Sequence, residues 1–519
     1  MKKTIIKNIA LSISAALMLS GCTTELDLEN PTAFTLEDII STEDGFLLLS
    51  NGILDAYQKV VSNEYLVLEA RSDNAVSNTL IGVIADINSY DLTANEGNSA
   101  NYYSNNYTTI ARANQIIENR DLAPEEFQYT IGEAFFMRAL CHFNAVRAFE
   151  NVPYVDRFLD VASQEILEYP QLPPAEVYAR IIDDFRTSIA FLQQSPSNSP
   201  YRPSEEAAVA LLAKAYLSQP TPNYAEAEAL LSSIIGASEL VFTEAPAGAV
   251  DVGGNVIDPE YVDTLIVDYA QVFGNVQIDE AWDNTGNETN DEILFSIAFE
   301  ANNAEDGDVT SADPDLDDQV ETDSEIFSFD MSAGGQSNGV NIASLDFLGV
   351  MNSTDQPVRF EPTLIAATFN NQELDTETFQ NKYPLESASG GRGNGNDWII
   401  MRYADVLLLY AEAIMAGGDQ TVSQVAIDAY NQVRSRAGIP TIGTGGALTK
   451  EALLEERRVE FAYENQRLFD LIRFGVADTV LSDFSSENSL NYTPPKKYLP
   501  FPQREIDATN GFYEQNLGY

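Results

Sequence analysis

Apolar residues recur along much of this chain at the period of a helix, most clearly from Arg402 to Met415. There Ala404, Leu407, Leu408, Ala411 and Met415 share one stripe, while Asp405 and Glu412 lie off it. The same spacing predicts a helix from about Thr42 to Val60, through Phe46, Leu49, Ile53 and Tyr57, and then a hairpin of two helices, Tyr103 to Arg120 and Phe127 to Phe149. Further helices are expected over Pro174 to Gln193, Pro203 to Ser218 and Tyr224 to Ile235. After a long gap the pattern returns at Val422 to Ala437 and at Lys450 to Glu464, where Thr449 suits an N-cap. Each early pair takes about 35 to 45 residues, the size of a tetratricopeptide unit. The expected fold is therefore mainly α, built from stacked, tetratricopeptide-like helix pairs.

The helical pattern breaks twice. Polar clusters between Ser62 and Ala100 read as loop. From about Gly236 to Ile399 glycines, asparagines and acids dominate, with short strand-like runs such as Ile293 to Ile297. Irregular segments of that length are more often functional or disordered than idle connectors. The expected parts are a helical repeat part over 42–236, a loop-rich subdomain over 237–400 and a C-terminal helical part over 401–519 that packs on the repeats. The ending, Lys496 to Tyr519, reads as extended.

The start has its own logic. Lys2, Lys3 and Lys7 precede an apolar run from Ile9 to Leu19 that is short for a membrane span. It ends in Leu19-Ser20-Gly21-Cys22, which resembles the lipobox of bacterial lipoproteins. On that likeness residues 1–21 are a signal peptide, Cys22 is the lipidation site and 22–41 form a tether. Two or three lipid chains would hold such a body stably at a membrane.

Charge and rare residues then exclude several functions. Asp and Glu number 80 against 28 Lys and Arg, a formal charge of −52, which opposes nucleic acid and other polyanions and favours neutral or cationic ligands. His142 is the only histidine, so a Ser-His-Asp triad and multi-histidine metal sites are out of reach, and a structural role suits it. With Cys22 lipidated, Cys141 has no disulfide partner. No cofactor and no metal site are expected: Asp306, Asp308, Asp313, Asp315, Asp317 and Asp318 lack EF-hand order and read as a solvated loop. Glycoside hydrolysis needs only two placed carboxylates, so composition alone leaves it open.

Taken in order, several segments resemble the SusD/RagB family of nutrient-binding surface lipoproteins of Bacteroidota. They are the lipobox, Tyr107-x-x-Ile110 with Ala113-Asn114, Gly132-Glu133-Ala134 through Arg138 to Val152-Pro153-Tyr154, and Arg202 with Ala207 to Leu217. Further on come Arg402-Tyr403-Ala404-Asp405, Asn431-x-Val433-Arg434-x-Arg436-Ala437-Gly438, Glu456-Arg457-Arg458, Asp470-Leu471-x-Arg473 and Leu499-Pro500-x-Pro502-Gln503. The resemblance implies a non-enzymatic, SusD-like protein on the outer membrane, facing the cell exterior. It also implies an irregular ligand-binding subdomain on a helical base and a SusC-like TonB-dependent transporter as partner.

Sugar recognition needs a flat apolar face for ring CH groups and planar polar groups for hydroxyls. Trp282, set among polar residues with Asn284 close by, is the candidate platform. Tyr102 and Tyr103 open an expected helix near where family members place a binding aromatic, and Arg71, Asp73, Asn74 and Asn78 belong to the loop before it. Trp398, beside Ile399, Ile400 and Met401, suits core packing, while Glu456, Arg457, Glu460, Arg467, Asp470 and Arg473 read as a salt-bridged structural network. The expected ligand is a neutral oligosaccharide or polysaccharide such as a laminarin-type β-glucan. Peptide capture and a surface glycoside hydrolase are the alternatives.

Overall fold

Helices form where the apolar stripes place them, and each stripe becomes the face on which the next helix packs. The computed structural model describes residues 36–42, 44–77, 83–159, 164–197, 199–237, 276–278, 281–283, 292–299, 342–369, 372–380, 382 and 397–519. Contacts divide the chain at Gly45: the described residues before it hold the short helix Leu36–Ile40, and the chain from Phe46 onward is a unit of its own.

The main helices are α1 (Gly45–Leu68), α2 (Gly97–Glu118), α3 (Gln128–Phe149), α4 (Pro174–Leu192), α5 (Glu205–Ser218), α6 (Tyr224–Ala237), α7 (Tyr403–Met415), α8 (Gln424–Arg436) and α9 (Lys450–Glu460). From α2 to α6 each packs on its neighbour in sequence, and α7 packs on both α6 and α8, which joins the C-terminal helices to the repeats. Two glycines permit close approaches. A Cβ on Gly132 of α3 would meet side-chain carbons of Phe191 and Leu192 at 2.9 Å, and one on Gly417 would meet the Tyr224 hydroxyl at 2.8 Å. Left-handed backbone at Ala416 (φ 50) ends α7, and Gly417 (φ +74) after it lets that end rest on the start of α6.

Helix α3 is the centre of the fold because it is buried on every side. Phe136 meets Phe185 of α4 edge-on at 5.8 Å and Phe295 at 5.0 Å. Phe295 belongs to the strand Ile293–Ile297, which pairs antiparallel with Trp398–Arg402, the strand leading directly into α7. Trp398 is buried, as its apolar neighbours suggest. The other short strands pair Ala75–Val76 with Ile342–Ala343, Val152–Pro153 with Gln171–Leu172, Val276–Ile278 with Ala281–Asp283, Leu364–Phe369 with Gln372–Gln380, and Gln420–Thr421 with Leu448–Thr449, all antiparallel. Among the described residues no helix is long and apolar enough to cross a membrane.

Several elements differ from the pattern reading. Helix α1 continues to Leu68 rather than Val60, because Val61, Val67 and Leu68 extend its buried face past the polar Ser62 and Asn63. The expected loop behind it holds a short helix, Val83–Asn88. Helix α9, capped by the Thr449 hydroxyl as expected, stops at Glu460, and the turn after it takes left-handed backbone at Tyr463 (φ 61) and Asn465 (φ 56). Two further helices, α10 (Arg467–Arg473) and α11 (Ala477–Asn488), bury Leu468, Leu471, Ala477 and Leu481 with Tyr90 and Tyr492, and Gln503–Ala508 makes one more short helix in the ending read as extended.

If α3 is the centre of the fold, Phe136→Ala should lower unfolding free energy by about 3–5 kcal/mol in urea titration. Leu345→Ala, at a position 85% exposed, should stay within ~0.5 kcal/mol of the parent.

Candidate functional site

Arg402, the last residue of its strand, is fully buried and bonded in every direction. Its Nε and Nη2 reach the two oxygens of Glu464 at 2.9 Å each, and its Nη1 reaches Glu292 at 2.9 Å and Glu460 at 2.6 Å. Arg436 of α8 bridges Glu292 and Glu460 from the other side. Arg359 pairs with Glu456 at 2.5 Å and Glu460 at 2.6 Å, and Lys382 with Glu464 at 2.7 Å. Burial alone would push the Glu460 carboxyl up, yet the Arg436, Arg359 and Arg402 guanidiniums outweigh it and hold that carboxyl well below the usual range. Residues 292, 359 and 382 lie in the loop-rich part, whereas 436, 456 and 460 lie in α8 and α9, so the cluster is the joint between the two.

A second cluster lies within the helices. Asp405 of α7 accepts from Lys214 of α5 and from Arg457 of α9, both at 2.7 Å, and Arg457 and Arg473 share Asp470. Arg473 also pairs with Glu412 at 2.8 Å. The structural network read from the alternating charges of 456–473 is therefore present, and it is larger than that segment.

The candidate ligand residues divide sharply. Asp73 accepts two bonds from Arg467, both 2.7 Å, and lies 3.2 Å from Arg458. Asn74 accepts from Arg458 Nε at 2.9 Å and donates to Glu69 at 3.3 Å. Arg71 donates through Nη2 to the carbonyls of Lys496 (2.5 Å) and Tyr498 (3.1 Å) and lies over the Tyr90 ring. All three are buried, which corrects their reading as open ligand contacts. These turn-forming residues face inward because the chain here pairs with Ile342–Ala343, with the Ser344 hydroxyl donating to the Asp73 carbonyl and the Ser344 amide to that of Asn74.

Tyr102 and Tyr103 need the same correction. Tyr102 is fully buried against Phe149 at 6.2 Å, and Tyr103 is enclosed by Tyr107 (4.5 Å), Phe501 (5.0 Å) and Phe149 (5.3 Å). Helix α2 begins at Gly97, with the Glu96 carboxylate capping Asn98 and Ser99, so both tyrosines sit inside the helix rather than at its open end. Trp282 lies on the strand Ala281–Asp283 opposite Gln277; its side chain, like Asn78, Asn284, Cys22 and the acidic run Asp306 to Asp318, is outside the described residues.

His142 is structural. Its Nδ1 bonds the Arg138 carbonyl at 3.0 Å, its Nε2 accepts from the Val155 amide at 3.1 Å, and its ring stacks on Tyr154 at 4.0 Å. Burial, helped by the Arg138 charge, pushes it down to about 3, so it stays neutral. The residues that sequence reasoning missed are Glu292, Arg359, Lys382 and Glu464. The signals for that cluster were Arg402 and Arg436, inside quoted family runs, and Glu456 and Glu460, read as part of a salt-bridged network.

Two outcomes test the joint. Arg402→Met should cost about 3–5 kcal/mol in chemical denaturation, because it leaves buried carboxylates uncompensated. Asp73, Asp405, Glu460 and Asp470 are all held below their ordinary range by cations that outweigh burial. Their stabilisation is present above the unfolded carboxyl values and is lost as pH falls further, so Tm should drop steeply below pH ~4 in a calorimetric pH series.

Comparison with known proteins follows the whole described architecture. The family model described as "SusD family" matches residues 268–519, and one described as "Starch-binding associating with outer membrane" matches 26–217. SusD-like protein P2 of Formosa agariphila is 23% identical over 470 residues, covering 84% of this chain and 83% of its own, and SusD-like protein P38 of the same organism is 24% identical over 99% of both. Among solved structures, a SusD homolog from Bacteroides thetaiotaomicron superposes with TM-score 0.71 at 20% identity, covering 94% of this chain and 99% of its own. A laminarin-binding SusD-like protein gives 0.65 at 23% identity over 91% of this chain and 99% of its own. Surface glycan-binding protein A from Bacteroides thetaiotaomicron, in complex with laminarihexaose, gives 0.66 at 20% identity over 92% and 100%. With family matches over both halves and the mostly helical SusD-like architecture between them, the chain belongs to the SusD/RagB family.

Proposed function

We propose that this protein captures a neutral glycan, of the laminarin-type β-glucan class, and hands it to a SusC-like TonB-dependent transporter without cleaving it. The observation that carries this reading is the likeness, over more than nine-tenths of the chain, to a laminarin-binding SusD-like protein and to a glycan-binding protein complexed with laminarihexaose. The formal charge of −52 favours a neutral sugar over uronates and sulfated glycans by simple repulsion. Lipidation at Cys22 would hold the protein on the outer membrane, facing the exterior. Trp282 is the proposed platform, with Asn284 and Asn78 as hydroxyl partners; the buried Arg71, Asp73, Asn74, Tyr102 and Tyr103 serve as framework.

Affinity electrophoresis of the protein without residues 1–21 against laminarin, α-glucans, fructans, charged glycans and a peptide mixture tests this. Retention by laminarin should weaken about tenfold in Trp282→Ala, the loss expected for one stacking contact of ~1.4 kcal/mol. Tyr102→Phe should bind like the parent. Binding to peptides alone would overturn the glycan reading, and release of reducing ends by the pure protein would overturn the non-catalytic one.

A further inference from the structure

Helix α1 does more than brace the fold, because one of its acids faces a polar cavity. Glu64 and Tyr57 of α1, Arg147 of α3, Lys214 of α5, Trp398 and Glu464 line it, and the ~30 Å³ inside is room for about one or two water molecules. Two of the charges around it are already matched. Lys214 is held by Asp405 and Gln466, both at 2.7 Å, and Glu464 by Lys382 at 2.7 Å and Arg402 at 2.9 Å.

The remaining two are not matched. Arg147 donates to the Asn144 side chain (2.8 Å) and the Phe143 carbonyl (3.2 Å) and lies over the rings of Phe143 and Phe469, but among the described residues no carboxylate comes within ion-pairing distance of it. Glu64 is only 7% exposed, and its Oε2 has no hydrogen-bond partner. A buried carboxylate and a guanidinium thus share a space that fits water and is lined by polar groups able to hold it. Two to four polar partners are what a buried water requires.

We propose that this cavity is a hydrated proton-binding site in which water links Glu64 to Arg147 and Glu64 takes up a proton as the pH falls toward mildly acidic values. Burial pushes the Glu64 carboxyl up to about 7, and the Arg147 and Lys214 charges offset only part of that. The other titratable groups that feel Glu64 are Tyr57 on its own helix, Tyr102 of α2 and Cys141 of α3. Burial pushes all three up, so they stay neutral while Glu64 changes charge. The Tyr102 hydroxyl is itself without a partner. A folded value above the unfolded one means that Glu64's contribution to stability is whole below pH ~4.3 and is lost as the pH rises through about 7. The junction of α1, α3, α5 and the Trp398 strand is therefore tightest in mild acid, before the paired carboxylates begin to protonate.

Trp398 in the cavity wall is one of two tryptophans, so in a Trp282→Phe background its emission reports on this space. Emission should show one transition with a midpoint near pH 7, absent in Glu64→Gln and retained in Glu69→Gln, whose carboxyl burial also pushes up to about 7 but which bonds Asn74 and the Tyr463 amide instead. The Tm of Glu64→Gln should match the parent at about pH 5 and exceed it at about pH 8.5. Flat emission across that range, a transition that persists in Glu64→Gln, or an equal Tm difference at both pH values would overturn the proposal. Should Glu64→Gln fail to fold, infrared difference spectra of Glu69→Gln decide the question: a buried carboxylic C=O band must disappear as the pH passes 7, and its absence would sink the idea.

Discussion

The Glu460 carboxylate is the interaction on which the rest of this protein depends. It receives Arg402 from the strand that leads into α7, Arg436 from α8 and Arg359 from the loop-rich part, all in the interior. Three cations around one carboxylate would repel one another, so the arrangement stands only because Glu292, Glu456 and Glu464 interleave with them. Such a cluster is not the cheapest way to fill a core, since well-packed apolar residues often do as well or better. What it adds is direction: guanidinium forks donate to carboxylates in few orientations, so segments without helical regularity are fixed in position against α8 and α9.

This explains how the chain's charge imbalance coexists with a stable interior. The chain has only 28 basic residues, and many of its arginines are committed inside: Arg138, Arg359, Arg402, Arg436, Arg457, Arg467 and Arg473 all pair with buried acids. The excess acid is then left for the surface, where hydration and salt screening make it tolerable. Those seven arginines act as interior fasteners, while others such as Arg180 and Arg504 stay at the surface.

The helices were legible in the sequence because their stripes are long and their caps are ordinary; the Arg402 to Met415 stripe and the Thr449 cap are the clear cases. Helices α10 and α11 were less legible, because they are short and bury themselves against Tyr90, a residue remote in sequence. The candidate site failed for a related reason. Arg71, Asp73 and Asn74 carry turn chemistry, and sequence cannot tell a turn that points outward from one that an arginine nearly four hundred positions later, Arg467, draws inward. Tyr102 and Tyr103 were misplaced by a helix start: with α2 starting at Gly97 rather than at the tyrosines themselves, their rings fall under Phe149 and Phe501.

Those misplacements constrain where recognition can occur. A sugar hydroxyl competing for Asp73 would have to displace a two-pronged arginine bond in a buried site, replacing charge-assisted bonds with neutral ones, and a ring seeking the face of Tyr102 would have to part α2 from α3. Both steps cost more than a weak, reversible contact returns. The interior groups are thus spent on holding the loop-rich part in place. The remaining candidates, the Trp282 side chain, Asn284 and Asn78, lie outside the described residues. A family that keeps its helical base while changing its ligand would be expected to vary such residues and to leave Glu460 alone.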